Sequence, residues 1–469
     1  MLTLPARMAQ AQVGEPFIHD PSTIAECDGR YYTFGTGGGG LWSADGWTWQ
    51  GGAVRPGRGA APDVLKIGNR YLVAYSATGG GLGGTHRGDV LTMWNKTLDP
   101  ASPDFQFTEP VVVASSMDDE DCDAIDAGLL LDPTTGRLWL SYGTYFGFIR
   151  LVELDPATGR RMEGNTPVNI AIDCEATDLI YRNGWYYLLG THGTCCDGPN
   201  STYNIVVGRS RKVTGPYVDN IGRRMLQGGG KMVIAANNLK TGPGHFGRFV
   251  VEDGVEKMSF HYESDFRQGG RSVLAIRPLL WKDDWPVAGD EFHEGAYEIE
   301  SVRRGYALEI AVDFVRMQRD IEPFWVEPTK PLGQIEPQTL EEVEPAWARG
   351  EVAVRMSNYM FRPHQKWTVT PAGKGGYLGG PYYKICIEGT TRCLTATAGH
   401  DVVAKPEFTG EDAQLWRIDQ LTDGTYRIMP KKVPGTDEPL ALVSLGDSTP
   451  GLAPFDFGSD NSKWNFKKD

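Results

Sequence analysis

The chain has 469 residues and a formal net charge of −14 at pH 7, so it is too long for one ordinary hydrophobic core and too acidic for a nucleic-acid partner. Its 59 glycines, 30 prolines and 11% aromatic residues are typical of many short strands joined by tight turns. No apolar run reaches the roughly 18 residues of a membrane-spanning helix. We therefore expect a soluble all-β protein of two domains, with neither a nucleic-acid nor a membrane partner.

The N-terminal part of the chain repeats one pattern five times. Each copy brings a polar residue, a short apolar run, a turn, and then an aromatic or apolar strand. An acid ahead of one strand is usually a solvated strand end, but five copies indicate an architecture. In chain order, the polar residues are Asp20, Asp63, Asp126, Glu175 and His245.

The spacing of the five strands predicts the fold of this part. The strands begin near Tyr31, Tyr71, Leu138, Trp185 and Lys257, at intervals of about 40 to 70 residues, which suit propeller blades with loop insertions. We assign residues 1–293 to a five-bladed β-propeller. If each apolar run is the innermost strand of its blade, the five polar residues lie at the same end of the central channel.

A different repeat follows Trp285-Pro286. Three QxW-like tripeptides each precede a short alternating strand, and they occur at Gln365–Trp367, Gln414–Trp416 and Ser462–Trp464. Three units that cannot bury their own apolar faces must close on one another, so residues 294–469 are predicted to form a pseudo-threefold β domain. The first unit carries an insertion rich in Pro and Glu at residues 317–349, which we expect to extend over the surface.

The seven cysteines show no CxxC pair and no zinc-binding spacing. Cys386 and Cys393 are expected to close a small loop in an oxidising compartment, whereas Cys195 and Cys196 are adjacent, a spacing that disulfides rarely bridge. The odd total leaves at least one free thiol. The first dozen residues are either the end of a trimmed export signal or an unstructured start, and composition does not decide between the two.

Three of the polar residues suggest chemistry if they meet at one mouth of the channel. Hydrolysis of a glycosidic bond with inversion uses one carboxylic acid to protonate the leaving oxygen and one carboxylate to activate water. A third carboxylate nearby raises the pKa of the acid. Asp20, Asp126 and Glu175 supply this set. The alternative is that these side chains end strands and bind only water or calcium.

Several motifs occur in a fixed order between residues 14 and 286. They are HDPS at His19–Ser22, AIDAGLL around Asp126, the Glu175 segment, CCDGPNSTYNIVVGRS at Cys195–Ser210, GPGH ending at His245, and GGRSVLAIRPL at Gly269–Leu279. This set resembles the family-43 glycoside hydrolases, and within them the arabinanase and α-L-arabinofuranosidase branch. The resemblance implies a five-bladed propeller that acts by inversion. It implies Asp20 as general base, Asp126 as pKa modulator that orients the acid, and Glu175 as general acid.

The resemblance also implies a metal ion and substrate contacts. His245 matches a histidine that in arabinanases helps to hold a central calcium ion through water, so Ca²⁺ is the expected cofactor, in a structural or electrostatic role. We expect substrate contacts from Asp63, as a hydroxyl acceptor, and from Phe146, Tyr203 and Arg271. The alternative for the aromatic residues among them is a place in the core.

The C-terminal repeats resemble the ricin-type β-trefoil, whose QxW tryptophans pack the core of each lobe. Carbohydrate binding by this domain is an analogy at the level of the fold. The alternative is a domain that only supports the propeller.

These observations predict a secreted or periplasmic monomer that cleaves α-L-arabinofuranosyl linkages of a plant cell-wall polysaccharide or oligosaccharide. The expected substrate is α-1,5-arabinan, cut internally. Two alternatives stay within the enzyme class, an exo-acting α-L-arabinofuranosidase and a β-xylosidase. A third is a propeller that binds carbohydrate without cleaving it, and the presence of all three carboxylates opposes that interpretation.

Overall fold

A computed structural model describes residues 12–78, 85–312 and 339–468. It divides into two compact units, Ala11–Asp290 and Glu291–Asp469, which are described separately below. The glycine-rich segment 79–84 and residues 317–338 of the Pro/Glu-rich insertion lie outside the described residues. Among the described residues, no helix has the length and apolar character needed to cross a membrane.

The first unit contains five small sheets, one for each predicted blade. The strands of blades one to three are β1 (Val13–Gly14), β2 (Ala25–Cys27), β3 (Arg30–Phe34), β4 (Gly39–Ser43), β5 (Thr48–Val54), β6 (Ala60–Ile67), β7 (Arg70–Thr78), β8 (Gly88–Asn95), β9 (Val111–Ser116), β10 (Gly128–Leu131), β11 (Leu138–Tyr142), β12 (Phe148–Leu154) and β13 (Val168–Ile172). Those of blades four and five are β14 (Glu175–Arg182), β15 (Trp185–His192), β16 (Asn204–Ser210), β17 (Lys231–Ile234), β18 (Lys240–Gly244), β19 (Val250–Glu252), β20 (Val255–Asp265), β21 (Arg271–Lys282) and β22 (Trp285–Ala288).

The blades are antiparallel meanders, apart from the short β1, which pairs in parallel with β5. The first strands of neighbouring blades contact one another, β6 with β10 and β10 with β14, which places them around the centre of the unit. The aromatic or apolar strands predicted from the sequence are the second strands β3, β7, β11, β15 and β20. The predicted five-bladed propeller is therefore confirmed.

A non-glycine residue with positive φ recurs at the inner end of every blade. These residues are Asp20 (φ 52°), Ala61 (47°), Asp126 (60°), Ala176 (46°) and His245 (51°). The left-handed conformation is uncommon for such residues, and here it bends the chain at the same place in each blade. This repeated bend aligns the five segments around the channel.

The alignment corrects the register that the sequence suggested. Glu175 precedes Ala176 by one residue, whereas Asp63 follows Ala61 by two and occupies the place that Asp178 has in blade four. In blade five the inner strand β18 ends before His245 instead of beginning after it. The five polar residues are thus not equivalent. Asp63 lies two residues beyond the bend of its blade, whereas the other four lie at the bend or one residue before it.

The N-terminal segment joins the first blade to the last. Phe17 forms an antiparallel bridge with Val273 in β21, and the Leu274 N–H donates to Pro16 O at 2.8 Å. The Ser272 hydroxyl donates to Ile18 O at 2.7 Å. These contacts close the ring without a strand shared between the two blades.

The second unit is also β-rich. Its elements are β23 (Gly295–Ser301), β24 (Ala307–Ile310), α1 (Leu340–Val343), β25 (Val352–Ser357), β26 (Trp367–Tyr377), β27 (Gly380–Ile387), β28 (Cys393–Ala396), β29 (Val402–Lys405), β30 (Trp416–Gln420), β31 (Tyr426–Pro430), β32 (Ala441–Ser444), β33 (Pro450–Ala453) and β34 (Trp464–Lys467). Short 3-10 helices in the two units span Gly198–Asn200, Met225–Gln227, Phe266–Gln268, Glu344–Ala346, Pro363–Gln365, Asp412–Gln414 and Asp460–Ser462.

The three predicted tryptophans occupy equivalent places in this unit. Trp367, Trp416 and Trp464 are fully buried, and each indole N–H donates to a backbone carbonyl 2.7 to 3.0 Å away. Burying a Trp while satisfying its N–H is strongly favourable, and each of the three follows a 3-10 turn of its own repeat. The pseudo-threefold β-trefoil arrangement is confirmed.

The described end of the insertion is packed rather than extended. Helix α1 and the turn after it bury Val343 and Trp347 in the core of the second unit. Val343 and Trp347 therefore anchor residues 339–349 to the core, while most of the other residues of this segment are exposed.

Candidate active site

Four of the predicted residues come together at one end of the propeller channel. His245 Nδ1 lies 3.3 Å from Asp20 Oδ1, and Asp126 Oδ2 accepts a hydrogen bond of 3.1 Å from the Ala176 N–H, next to Glu175. Asp20, Asp126 and His245 are themselves at the left-handed bends described above, and Glu175 directly precedes the bend at Ala176. Residues more than two hundred positions apart thus share one site, because a radial fold brings the inner ends of all blades together.

Asp20 is surrounded by hydrogen-bond donors and by three histidines. Its Oδ2 accepts a hydrogen bond of 2.5 Å from Thr36 Oγ1, and its backbone N–H donates to His261 Nδ1 at 2.8 Å. Burial opposes ionisation of this carboxyl, but His245, together with His19 and His261, holds its pKa well below the usual range of an aspartate. Asp20 is therefore a carboxylate across the physiological pH range.

Glu175 has the opposite character. Its side chain is buried, and the Tyr203 hydroxyl donates a hydrogen bond to Oε1. Burial raises the pKa of Glu175 well above that of an ordinary glutamate, and the charge of Asp126 raises it further, against the lowering effect of Tyr203. This direction suits a carboxyl group that donates a proton.

Asp126 connects the other groups. Its N–H donates to Ser76 Oγ at 3.2 Å, while its carboxylate accepts from the Ala176 N–H and so fixes the peptide that follows Glu175. Burial raises its pKa, against the effect of His245, and the charge of Asp20 adds to the rise. Asp126 therefore both positions Glu175 and disfavours loss of its proton.

The pair of Asp20 and His245 predicts a shift in the acidic side of the pH profile. Removing the imidazole with His245→Gln leaves burial as the dominant influence, so the pKa of Asp20 rises. We expect the acidic limb of kcat/KM to move to higher pH, since activity requires the ionised carboxylate. The measurement is kcat/KM between pH 3 and pH 9. The matched control is His192→Gln, an exposed histidine beside Asp173, and an equal shift in both variants would contradict the assignment.

His19, His261 and Glu263 form a group whose nitrogen and oxygen atoms lie within 4.8 Å of one another. His261 Nδ1 accepts from the Asp20 N–H, so the ring proton is on Nε2, which donates to Glu263 Oε1 at 3.3 Å. A metal ion on Nε2 would have to displace that proton. Calcium takes six to eight oxygen ligands, and two imidazoles with one carboxylate do not fit it. This group therefore does not fit calcium, and the calcium ion expected beside His245 stays a prediction.

Asp63 lies deeper in the channel than expected. Its carboxylate accepts from the Thr23 N–H at 3.2 Å and the Leu129 N–H at 2.9 Å, and it pairs with the guanidinium of Arg248. The same guanidinium donates to the carbonyl oxygens of Leu129 and Val64. These contacts already occupy the carboxylate, so we correct the interpretation of Asp63 from a hydroxyl acceptor to a residue that joins blades.

Loss of Arg248 is expected to destabilise the propeller strongly. Arg248→Met leaves the buried carboxylate of Asp63 and two carbonyl groups without their partner, which costs about 3 to 5 kcal/mol in comparable buried pairs. Denaturant unfolding measures the loss. The control is Arg87→Met, whose exposed pair with Asp118 is expected to contribute less than about 1 kcal/mol. Adding Asp63→Asn to Arg248→Met should recover part of the stability, and failure to do so would contradict the charge argument.

The remaining predicted contacts are placed differently. Phe146 is 43% exposed beside Tyr145 in the loop after β11, whereas Tyr203 is buried and serves as the partner of Glu175. Arg271 lies at the exposed start of β21, where its guanidinium stacks on Phe17. Phe146 remains a predicted substrate contact. Tyr203 instead donates a hydrogen bond to Glu175, and the guanidinium of Arg271 packs on Phe17.

Sequence reasoning missed several neighbours of the carboxyl groups. Thr36 and His261 contact Asp20 directly, and the pKa of Tyr145 is raised by burial and then by the charges of Glu175 and Asp126. His261 lies within the second strand of blade five, and Thr36 follows that of blade one. A search for polar residues in and beyond the second strands, as well as ahead of them, would have found both.

A carboxyl whose pKa is held low and a second carboxyl whose pKa is raised, at the mouth of a five-bladed propeller, are the components of a glycoside hydrolase that uses acid and base catalysis. Comparison with known protein families supports this assignment. The profile described as "Glycosyl hydrolases family 43" matches residues 12–286, and the chain belongs to this family. A second profile, "Ricin-type beta-trefoil lectin domain-like", matches residues 363–436.

Relatives with known names support the family assignment. The chain is 32% identical over 249 residues to the "Extracellular exo-alpha-(1->5)-L-arabinofuranosidase ArbA" of Cellvibrio japonicus, covering 49% of this chain and 70% of that protein. It is 31% identical over 230 residues to the "Extracellular endo-alpha-(1->5)-L-arabinanase 1" of Bacillus subtilis, covering 48% and 67%. The structure of Cellvibrio cellulosa α-L-arabinanase complexed with arabinohexaose is 28% identical with a TM-score of 0.54, covering 59% of this chain and 96% of that one.

Proposed function

We propose that this protein hydrolyses internal α-1,5 linkages of L-arabinan, with inversion of configuration. The observation that carries the proposal is the meeting of Asp20, Asp126 and Glu175 at one channel mouth, where the pKa of Asp20 is held low and that of Glu175 is raised. The substrate class is supported by the two relatives named for α-1,5-linked arabinose and by the related structure that holds arabinohexaose.

The arrangement allows one concerted displacement. Glu175 donates its proton to the glycosidic oxygen as the bond to the anomeric carbon breaks. Asp20 accepts a proton from the water that attacks the opposite face of that carbon, so the new hydroxyl has inverted configuration. Asp126 keeps Glu175 protonated and in place. After the reaction Glu175 is ionised and Asp20 carries a proton, and exchange with solvent restores both.

Product analysis tests the substrate and the mode of cleavage. The protein is incubated with linear arabinan, branched arabinan, xylan and aryl pentofuranosides, and the products are separated by size. Oligomers from linear arabinan support internal cleavage, while arabinose alone supports the exo-acting alternative that one relative's name favours. Activity only on xylan would overturn the arabinan proposal. Binding without any release would overturn hydrolysis, and NMR of the first product reports inversion.

Further proposals concern the localisation of the enzyme, its oligomeric state and its other ligands. Two relatives are named extracellular, which supports secretion of this protein. A monomeric state stays a prediction that size-exclusion chromatography with light scattering tests. Calcium in the channel is tested by metal analysis of the purified protein and by the change in Tm when calcium is added after chelation. Sugar binding by the trefoil is tested by titrating free sugars into the full-length protein.

A further inference from the structure

Cys195 and Cys196 form a disulfide between adjacent residues, contrary to the expectation from their spacing. It lies in the loop between β15 and β16 of blade four. Cys196 is exposed and has a φ of 66°, a left-handed conformation that non-glycine residues adopt mainly where the surrounding structure imposes it, often at functional sites. A pair of sulfur atoms is thus held at the surface in an uncommon backbone geometry.

The position of this disulfide relates it to both proposed catalytic groups. Cys196 Sγ lies 3.9 Å from His19 Nε2, and the same nitrogen lies 3.5 Å from Asp20 Oδ1. The loop then leads to Tyr203, whose hydroxyl donates to Glu175. The sulfur pair therefore borders the mouth on the side of Asp20, on the segment that also supports the acid.

The chemistry of the sulfur pair differs from that of the groups beside it. His19, His261, Glu263 and the catalytic carboxyls are polar or charged, whereas a disulfide offers no hydrogen-bond donor and presents an apolar, polarisable face. The ring C–H groups and the exocyclic methylene of a pentofuranose unit gain free energy when an apolar surface covers them. We propose that the Cys195–Cys196 disulfide is a wall of a sugar-binding subsite next to Asp20 and packs against the C–H and methylene groups of a pentofuranose unit.

The loop is built to hold this wall in place. The Thr202 N–H donates to Thr194 O at 3.1 Å and the Thr194 N–H to Thr202 Oγ1 at 3.0 Å, which closes the base of the loop. The Cys196 backbone N–H interacts with the Glu263 carboxylate in blade five. Because the disulfide also fixes both side chains, binding a sugar against it loses little conformational entropy.

The first test removes the sulfur atoms and keeps the backbone. In the double variant Cys195→Ala with Cys196→Gly, glycine accepts the positive φ of residue 196. We expect KM for linear arabino-oligosaccharides to rise about tenfold while both pH limbs of kcat/KM stay in place, since the carboxyls are untouched. The matched control removes the other disulfide, in the trefoil, with Cys386→Ser and Cys393→Ser, and its KM is expected to be unchanged. An unchanged KM in the first variant would overturn the proposal.

The second test needs no substitution in the loop. Reduction of the Cys195–Cys196 disulfide by a phosphine is followed by alkylation and mass spectrometry in the Glu175→Gln protein, with and without arabinohexaose. A bound sugar that covers the sulfur pair is expected to slow its reduction severalfold, whereas cellohexaose does not. Equal reduction rates with and without a saturating concentration of arabinohexaose would overturn the subsite.

The subsite proposal rests on the proposed function, but different results would contradict each of the two proposals. A wild-type protein that cleaves no arabinan yet shows arabinohexaose protection contradicts the function and retains the subsite. A protein that cleaves arabinan but shows neither protection nor a KM change contradicts the subsite alone.

Discussion

Glu175→Gln is expected to lower kcat/KM on linear arabinan by about a thousandfold, the scale of a lost general acid. The amide has nearly the shape of the protonated carboxyl and can still contact Tyr203, but it has no proton to give to the leaving oxygen. The acidic leaving groups of aryl arabinofuranosides depart without protonation, so kcat on these substrates should fall much less. Steady-state kinetics on both substrate classes measure the difference.

The control for this variant is Glu153→Gln, which changes a glutamate paired with Arg137 on the outer part of blade three. Its kinetics on both substrate classes are expected to match those of the wild type. An equal loss on polymer and aryl substrate in Glu175→Gln would show that Glu175 is not the acid.

Asp20→Asn is expected to reduce activity by about a thousandfold or more on both substrate classes, because the attacking water needs a base whatever the leaving group. Azide is a nucleophile that needs no deprotonation. Added azide should therefore restore bond cleavage in Asp20→Asn, with a glycosyl azide of inverted configuration as the product. The measurement is the rate of leaving-group release with increasing azide, together with NMR of the product.

The azide experiment separates the two carboxyl groups. Azide does not replace a missing proton donor, so Glu175→Gln on arabinan is expected to show no recovery. Recovery of Glu175→Gln and none of Asp20→Asn would exchange the two roles.

The sequence predicted the fold and indicated the proposed catalytic residues because both depend on repeated local signals. A polar residue ahead of each second strand is visible in the chain whatever the tertiary packing, and the three tryptophans of the trefoil recur in the same way. The resemblance to a known family then selected Asp20, Asp126 and Glu175 from many acids. Their contacts at the channel mouth agree with that selection.

The sequence could not predict contacts that depend on the register of the inner ends. Asp63 has the same local pattern as Asp126, and only the left-handed bend at Ala61 shows that it lies deeper, beside Arg248. The pairing of Cys195 with Cys196 was wrongly dismissed because spacing alone does not reveal the positive φ of the second cysteine. Such features arise from backbone conformation, which residue types constrain only weakly.

The contacts of Arg248 have a consequence for how the propeller unfolds. Repeat architectures in which each unit contacts only its neighbours can lose their units one after another. Arg248, from blade five, reaches Thr23 in blade one, Asp63 in blade two and Leu129 in blade three. Moving blade two or blade three away from blade five separates the buried guanidinium of Arg248 from its partners, so we expect these three blades to unfold together.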